Sequence, residues 1–175
     1  MSLLRYFMLL SLVIWVGGII CFAFVVAPTL FSVLPARNLA GLVVSRSLTL
    51  LHWMGVACGG VFLVLSLLEA HSSSGSWGVL AARNLLVLGM MVLTLVSQTV
   101  VAARMAALRV QMGDIDLAPA TDARRAAFNQ LHQWSTRLET IVLLLGLATL
   151  FVLARQWHPN VPVNAAPSAS SKIPS

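Results

Sequence analysis

The sequence predicts an all-α integral membrane protein, an antiparallel four-helix bundle, from three observations. First, 59 % of the residues are hydrophobic and 9 % are charged, whereas an ordinary soluble domain is roughly 45–50 % apolar and about 25 % charged. Eleven Lys plus Arg and five Asp plus Glu cannot cover a soluble body of this size, so lipid has to be the solvent. Second, the apolar residues gather into four runs near the ~20 residues that cross a hydrocarbon layer. Third, the links between runs are short, which favours up-down order with antiparallel neighbours. The formal net charge of +6 excludes nothing by itself. Its basic residues sit singly between apolar blocks, the pattern of loops flanking membrane helices and not of a nucleic-acid-binding patch.

The first run goes from Tyr6 to about Phe31, with Pro28 near its end, where a missing backbone donor disturbs least. It has the basic residue and apolar stretch of a leader, but its length reads as an uncleaved membrane helix. The second goes from about Leu48 to Leu68, closed by Glu69 and followed by the turn-rich HSSSGSWG. The third covers Val79 to Ala103 and has Arg83 near its start, placed to snorkel to the interface. The fourth begins near Thr121, with Thr121 or Asp122 as cap, and runs to about Gln156. Its charged first half should stand partly outside the bilayer. Trp134 and Trp157 are separated by about 35 Å of helix, the spacing of two aromatic belts. Residues 1–156 therefore form one transmembrane domain. Residues 157–175, rich in Pro, Ser and Ala, read as a disordered polar tail.

Arginine placement sets the expected topology. Arg37, Arg46, Arg104, Arg109, Arg124 and Arg125 fall at the end holding the first and third connections, against Arg5, Arg83, Arg155 and Lys172 at the other. The positive-inside rule then puts Pro35–Arg46 and Arg104–Ala127 in the cytoplasm and both termini outside, in a bacterial inner membrane. Cys21 and Cys58 lie in apolar runs as small hydrophobes, in no CxxC pair.

Candidate sites come from polar residues inside the runs. Gly17 and Gly18 follow Trp15, and Gly55 with Gly59 has GxxxG spacing, which lets two backbones approach closely in lipid. On the fourth helix His132, Ser135 and Glu139 share a face that Phe128, Val142 and Gly146 extend. An intramembrane carboxylate needs a partner, and Glu139 has Arg46, Arg104 and His52 as candidates. Together with Gln98 they make a polar cluster of His52, Gln98, Arg104, His132, Ser135 and Glu139 toward one end. Two histidines on different helices, with Cys21 as a soft third ligand, would suit a metal or haem. The bland alternative is a structural hydrogen-bond network. No paired ligand motif, nucleophile elbow, Walker loop, GxGxxG or HExxH occurs, so no catalytic residue, metal ligand or cofactor is assigned. The expected partner is the bilayer, with a homo-oligomer or a larger membrane complex left open, and no nucleic acid.

Three groups of residues carry a family resemblance: W-x-G-G with P-x-x-F in the first helix (Trp15, Gly17, Gly18, Pro28, Phe31), Gly41 after it, and F-x-x-L-H-x-x-S-x-x-L in the fourth (Phe128, Leu131, His132, Ser135, Leu138). This pattern resembles the small membrane family that includes transmembrane protein 205, domain of unknown function 4149, over about residues 8 to 150. The first helix also looks like the copper-resistance D family and the membrane protoporphyrinogen oxidases. Those families bring a histidine ahead of the tryptophan, where this chain has Ser11 and Leu12. The resemblance implies a four-helix membrane protein of uncharacterised molecular function. The alternatives are a metal- or haem-linked membrane protein and a scaffold or assembly subunit of a membrane complex.

Overall fold

The computed structural model describes residues 3–74, 81–113, 119 and 121–156. Four helices are long and apolar enough to cross a membrane: α1 (Leu3–Val33), α2 (Arg37–Ser74), α3 (Ala82–Met112) and α4 (Ala123–Gln156). No strand occurs among the described residues. The even number of spans puts the start of α1 and the end of α4 on one side of the bilayer.

The first three helices are longer than their apolar runs. The α2 helix begins at Arg37 and not near Leu48, so the expected loop Pro35–Arg46 shrinks to the bend before Arg37; α3 likewise continues past Ala103 to Met112. Hydropathy marks where the lipid ends, whereas a helix continues into water as long as its residues tolerate it. At ~1.5 Å per residue each helix spans well over the ~30 Å hydrocarbon core, so the arginine-rich ends project beyond it. The polar tail, Trp157, Lys172 and the Ser-Gly turn after Ser74 lie outside the described residues, as do Asp114 and Asp116.

The α4 helix starts where the sequence placed it. Asp122 is the cap: its Oδ1 accepts the backbone N–H of Arg124 at 2.8 Å, and Oδ2 takes the guanidinium at 2.8 Å. Those two bonds from Arg124 hold the Asp122 carboxyl below its ordinary value. Because the folded pKa is depressed, the cap's contribution is present above the usual carboxylate pKa and is lost as pH falls through the folded one. Asp122→Ala is expected to fray the first turn of α4, seen as faster amide exchange at Arg124 and Arg125 with no change deeper in the helix.

Pro28 leaves its mark one turn earlier. It cannot donate a backbone hydrogen bond, and the preceding stretch Phe22–Val26 widens into a π turn, in which the N–H of Ala27 reaches Phe22 O. Thr29 Oγ1 then donates to Val25 O at 2.6 Å. A second π turn, Ser97–Ala102, interrupts α3 without any proline.

Packing follows a four-cornered ring in which α1 touches α2 and α4, and α3 touches α2 and α4. The register is antiparallel between neighbours, since Gly18 faces Leu51 and Met54 while Trp15 faces Gly55 and Gly59. Trp15 is 1 % exposed and its indole packs against those two glycines. A Cβ on Gly55 would fall on the indole nitrogen and 2.5 Å from Cε2; one on Gly59 would fall 2.8 Å from Cζ3 and 2.8 Å from Met91 Cγ. The GxxxG pair is thus a seat for one aromatic side chain, which recovers in dispersion contact what lipid does not supply as a hydrophobic drive. Gly146 plays the same part on α4, where a Cβ would lie 2.5 Å from Val16 Cγ2. Of the other glycines and packing residues singled out in the sequence, Gly18 meets Leu51 and Met54. Gly17 has nothing within 4 Å, Phe31 is 47 % exposed, and Pro28 is exposed. Around Trp15 the core is closed by Met8, Leu12, Val16, Ile19, Phe62, Val87, Met90, Val142 and Leu153.

Candidate functional site

Toward the arginine-rich end of the bundle, His52 of α2 is 3 % exposed and touches two other helices. Its Nδ1 lies 2.9 Å from Gln98 Oε1 on α3, and its Nε2 lies 3.0 Å from Glu139 Oε2 on α4. The α2 and α4 helices sit at opposite corners of the ring, so the His52–Glu139 contact crosses the bundle axis. The π turn holding Gln98 is the irregularity that serves this site, since an inserted residue re-aims the side chains of a turn that a regular helix would point elsewhere.

The protons of the group can be assigned from its hydrogen-bond chain. Thr49 Oγ1 donates to Ser45 O at 3.0 Å, the ordinary way a helical threonine satisfies its hydroxyl. That hydroxyl then accepts from Gln98 Nε2 at 3.4 Å. The Gln98 amide is thereby turned with its oxygen toward His52, which requires Nδ1 to carry hydrogen. Nε2 and the Glu139 carboxyl then share one proton, either as imidazolium and carboxylate or as neutral imidazole and carboxylic acid. With two protons the pair carries a buried positive charge. With none, a lone pair faces a carboxylate and the contact is repulsive. The contact therefore needs at least one proton between Nε2 and the carboxyl.

Of the polar residues singled out in the sequence, the structure brings together His52, Gln98 and Glu139 and leaves the other three apart. Arg104 is exposed and His52, not an arginine, meets Glu139. Ser135 is half-buried without a side-chain hydrogen bond among the described residues, and His132 is exposed on the outer side of α4. The buried stripe of α4 is centred on Phe128, Val142, Gly146 and Leu153, and at 100° per residue His132 lies about 60° off that centre. Leu131 takes the flank nearer the core. The two histidines do not share a site. Both ring nitrogens of His52 already face oxygens, and among the described residues no group of three His, Cys, Asp or Glu could hold a metal ion.

Thr94 and Ser97 of α3 are each 2 % exposed, and neither hydroxyl has a hydrogen-bond partner among the described residues. Three residues apart, they lie on one buried face of α3. The contacts of Met90 with Gly146 and of Arg109 with Phe128 set the antiparallel register that places Ser97 opposite Glu139.

A second polar group, missed in the sequence reading, ties the opposite end. Glu69 is paired with Arg5 through Oε1 and with Arg83 through Oε2 at 3.1 Å. Arg83 Nε donates to Ser66 Oγ at 2.9 Å, and Ser66 donates to Asn84 Oδ1 at 2.7 Å. Arg83 therefore does not snorkel, its side chain being 15 % exposed, and Glu69 does not end α2. The signal was present: opposite charges on three runs at one end of the bundle. At the other end Arg109 lies between α2 and α4, its Nη2 3.0 Å from where a Cβ on Gly41 would stand and its guanidinium 5.4 Å from the Phe128 ring.

The family described as Domain of unknown function (DUF4149) matches residues 10–114. The chain belongs to this family. The DUF4149 match spans most of α1 and all of α2 and α3, with Trp15, Gly55, Gly59, His52, Gln98, Glu69 and Arg83 inside it. It stops before α4, so Glu139 and the LHQWSTRL segment lie beyond it. No curated protein and no solved structure matches the chain.

Proposed function

We propose that this DUF4149 protein is an integral membrane protein that binds and releases one proton at the His52–Glu139 couple, and that proton occupancy controls how α2, α3 and α4 fit together. The observation that carries this reading is that one buried histidine bridges two other spans, with a contact to Glu139 that needs a proton between ring and carboxyl. Intramembrane ionisable residues are costly to bury and cluster at functional positions. Each change of occupancy alters the bond across the bundle axis, while the Gln98 bond on Nδ1 keeps the ring oriented. The side chains facing His52 from α3 and α4 are Gln98 and Glu139, and α1 presents no charged group at this level. Of the other cations toward this end, Arg37, Arg46, Arg104, Arg124 and Arg137 are exposed, Arg125 is half-buried, and the half-buried Arg109 stands against Gly41 and Phe128. The register of α3 against α4 puts the buried Ser97 hydroxyl at the level of Glu139. A metal- or haem-linked role gains no support from this arrangement, because it leaves His52 without a free ring nitrogen.

The test is difference infrared spectroscopy of the protein in lipid on a step in bulk pH. The change is expected to carry carboxyl and imidazole bands of the couple together, the carboxyl part lost in Glu139→Gln and the whole altered in His52→Gln. No such coupled change, or a carboxyl change that is identical without His52, would overturn the reading.

A further inference from the structure

The outward side of α4 between His132 and Ile141 forms an open groove of about 570 Å³ lined also by Gln133, Trp134 and Arg137. We propose that it binds the headgroup of an anionic phospholipid, with the phosphate on Arg137 and an acyl chain running down the helix past Ile141. Trp134 is 50 % exposed, and the Arg137 guanidinium carbon lies over its ring, 5.3 Å from the centroid. This cation–π contact holds the exposed guanidinium beside the ring, and arginine N–H groups are donors suited to phosphate. Tryptophan prefers the headgroup level.

Charge complementarity selects the occupant. Arg137 has no carboxylate partner among the described residues, and the described acids toward this end are engaged elsewhere, Asp122 with Arg124 and Glu139 with His52. Thr136 and Thr140 turn their hydroxyls onto their own helix, donating to His132 O at 3.1 Å and Thr136 O at 2.9 Å. Arg137 is left as the cation of the groove, with His132 and Gln133 beside it. Away from the charged end the same helix is apolar and outward-facing, with Ile141 45 %, Leu144 59 % and Phe151 60 % exposed. One face thus offers a cation at the headgroup level and a hydrocarbon surface below it, which fits an amphiphile and not a free anion.

Native mass spectrometry of the whole protein with equimolar phosphatidylglycerol and phosphatidylcholine reads this directly. Wild type is expected to retain phosphatidylglycerol preferentially, and Arg137→Gln to reduce that preference about fivefold, the weight of one arginine beside an anionic surface. Arg155→Gln, which removes another arginine stacked on a ring, 5.2 Å from Phe151, should leave the preference unchanged. Equal retention of both lipids by wild type, an equal loss in both variants, or displacement of the lipid by millimolar inorganic phosphate would overturn the proposal. Both variants alter exposed side chains, so their unfolding temperatures are expected to match wild type.

Discussion

Gly55→Leu is expected to lower the stability of the bundle in detergent by about 3 kcal/mol or more, at the upper end of what overpacking costs. The reason is geometric. The first added carbon would already overlap the Trp15 indole, which is 1 % exposed and has no adjacent space to move into. Trp15→Ala should cost a similar amount for the opposite reason, by removing the side chain that the glycines seat, about 3–5 kcal/mol for a large aromatic. The decisive comparison is the double variant. If the indole and the glycine seat are one contact, Trp15→Ala with Gly55→Leu should be far less destabilised than the sum of the two. Gly60→Leu provides the control, since nothing lies within 4 Å of a Cβ there, and it should stay within about 0.5 kcal/mol of wild type. Equal losses at Gly55 and Gly60 in reversible unfolding would show that the effect does not come from the Trp15 seat, since Gly→Leu by itself favours a helix.

The next largest effect is expected at His52. Removing it in His52→Ala leaves the Glu139 carboxyl and the Gln98 amide in the interior without their common partner, and loss of one side of a buried charged pair costs about 3–5 kcal/mol. Glu139→Gln is expected to cost only about 1 kcal/mol, because its amide can donate to the Nε2 lone pair of a neutral imidazole while Nδ1 keeps its bond to Gln98. The asymmetry between the two variants is the signature of a couple that holds a single proton. Comparable losses in both would indicate that the charge on Glu139, and not the shared proton, stabilises the site. His132→Ala should be silent in the same unfolding measurement, since that side chain lies outside the buried group.

The membrane class, the presence of four spans, a cap at Thr121 or Asp122 and the inward direction of Glu139 could all be read along the chain. These depend on local composition and on spacing within one helix, which are one-dimensional properties. The partners of the buried groups could not be read in this way. In a soluble bundle the polar side of each helix reveals which side is buried; here Leu12 is 1 % exposed and Leu50 72 %, yet both are leucine. Core and lipid are equally apolar, so sequence pattern does not fix how each helix rotates about its axis. Only the packed bundle decided that Trp15 rests on Gly55 and Gly59, that Glu139 meets His52 across the bundle and not an arginine, and that Glu69 and Arg83 join at the other end. Each of these contacts depends on the rotation and register of two helices at once, which arise from close packing between spans.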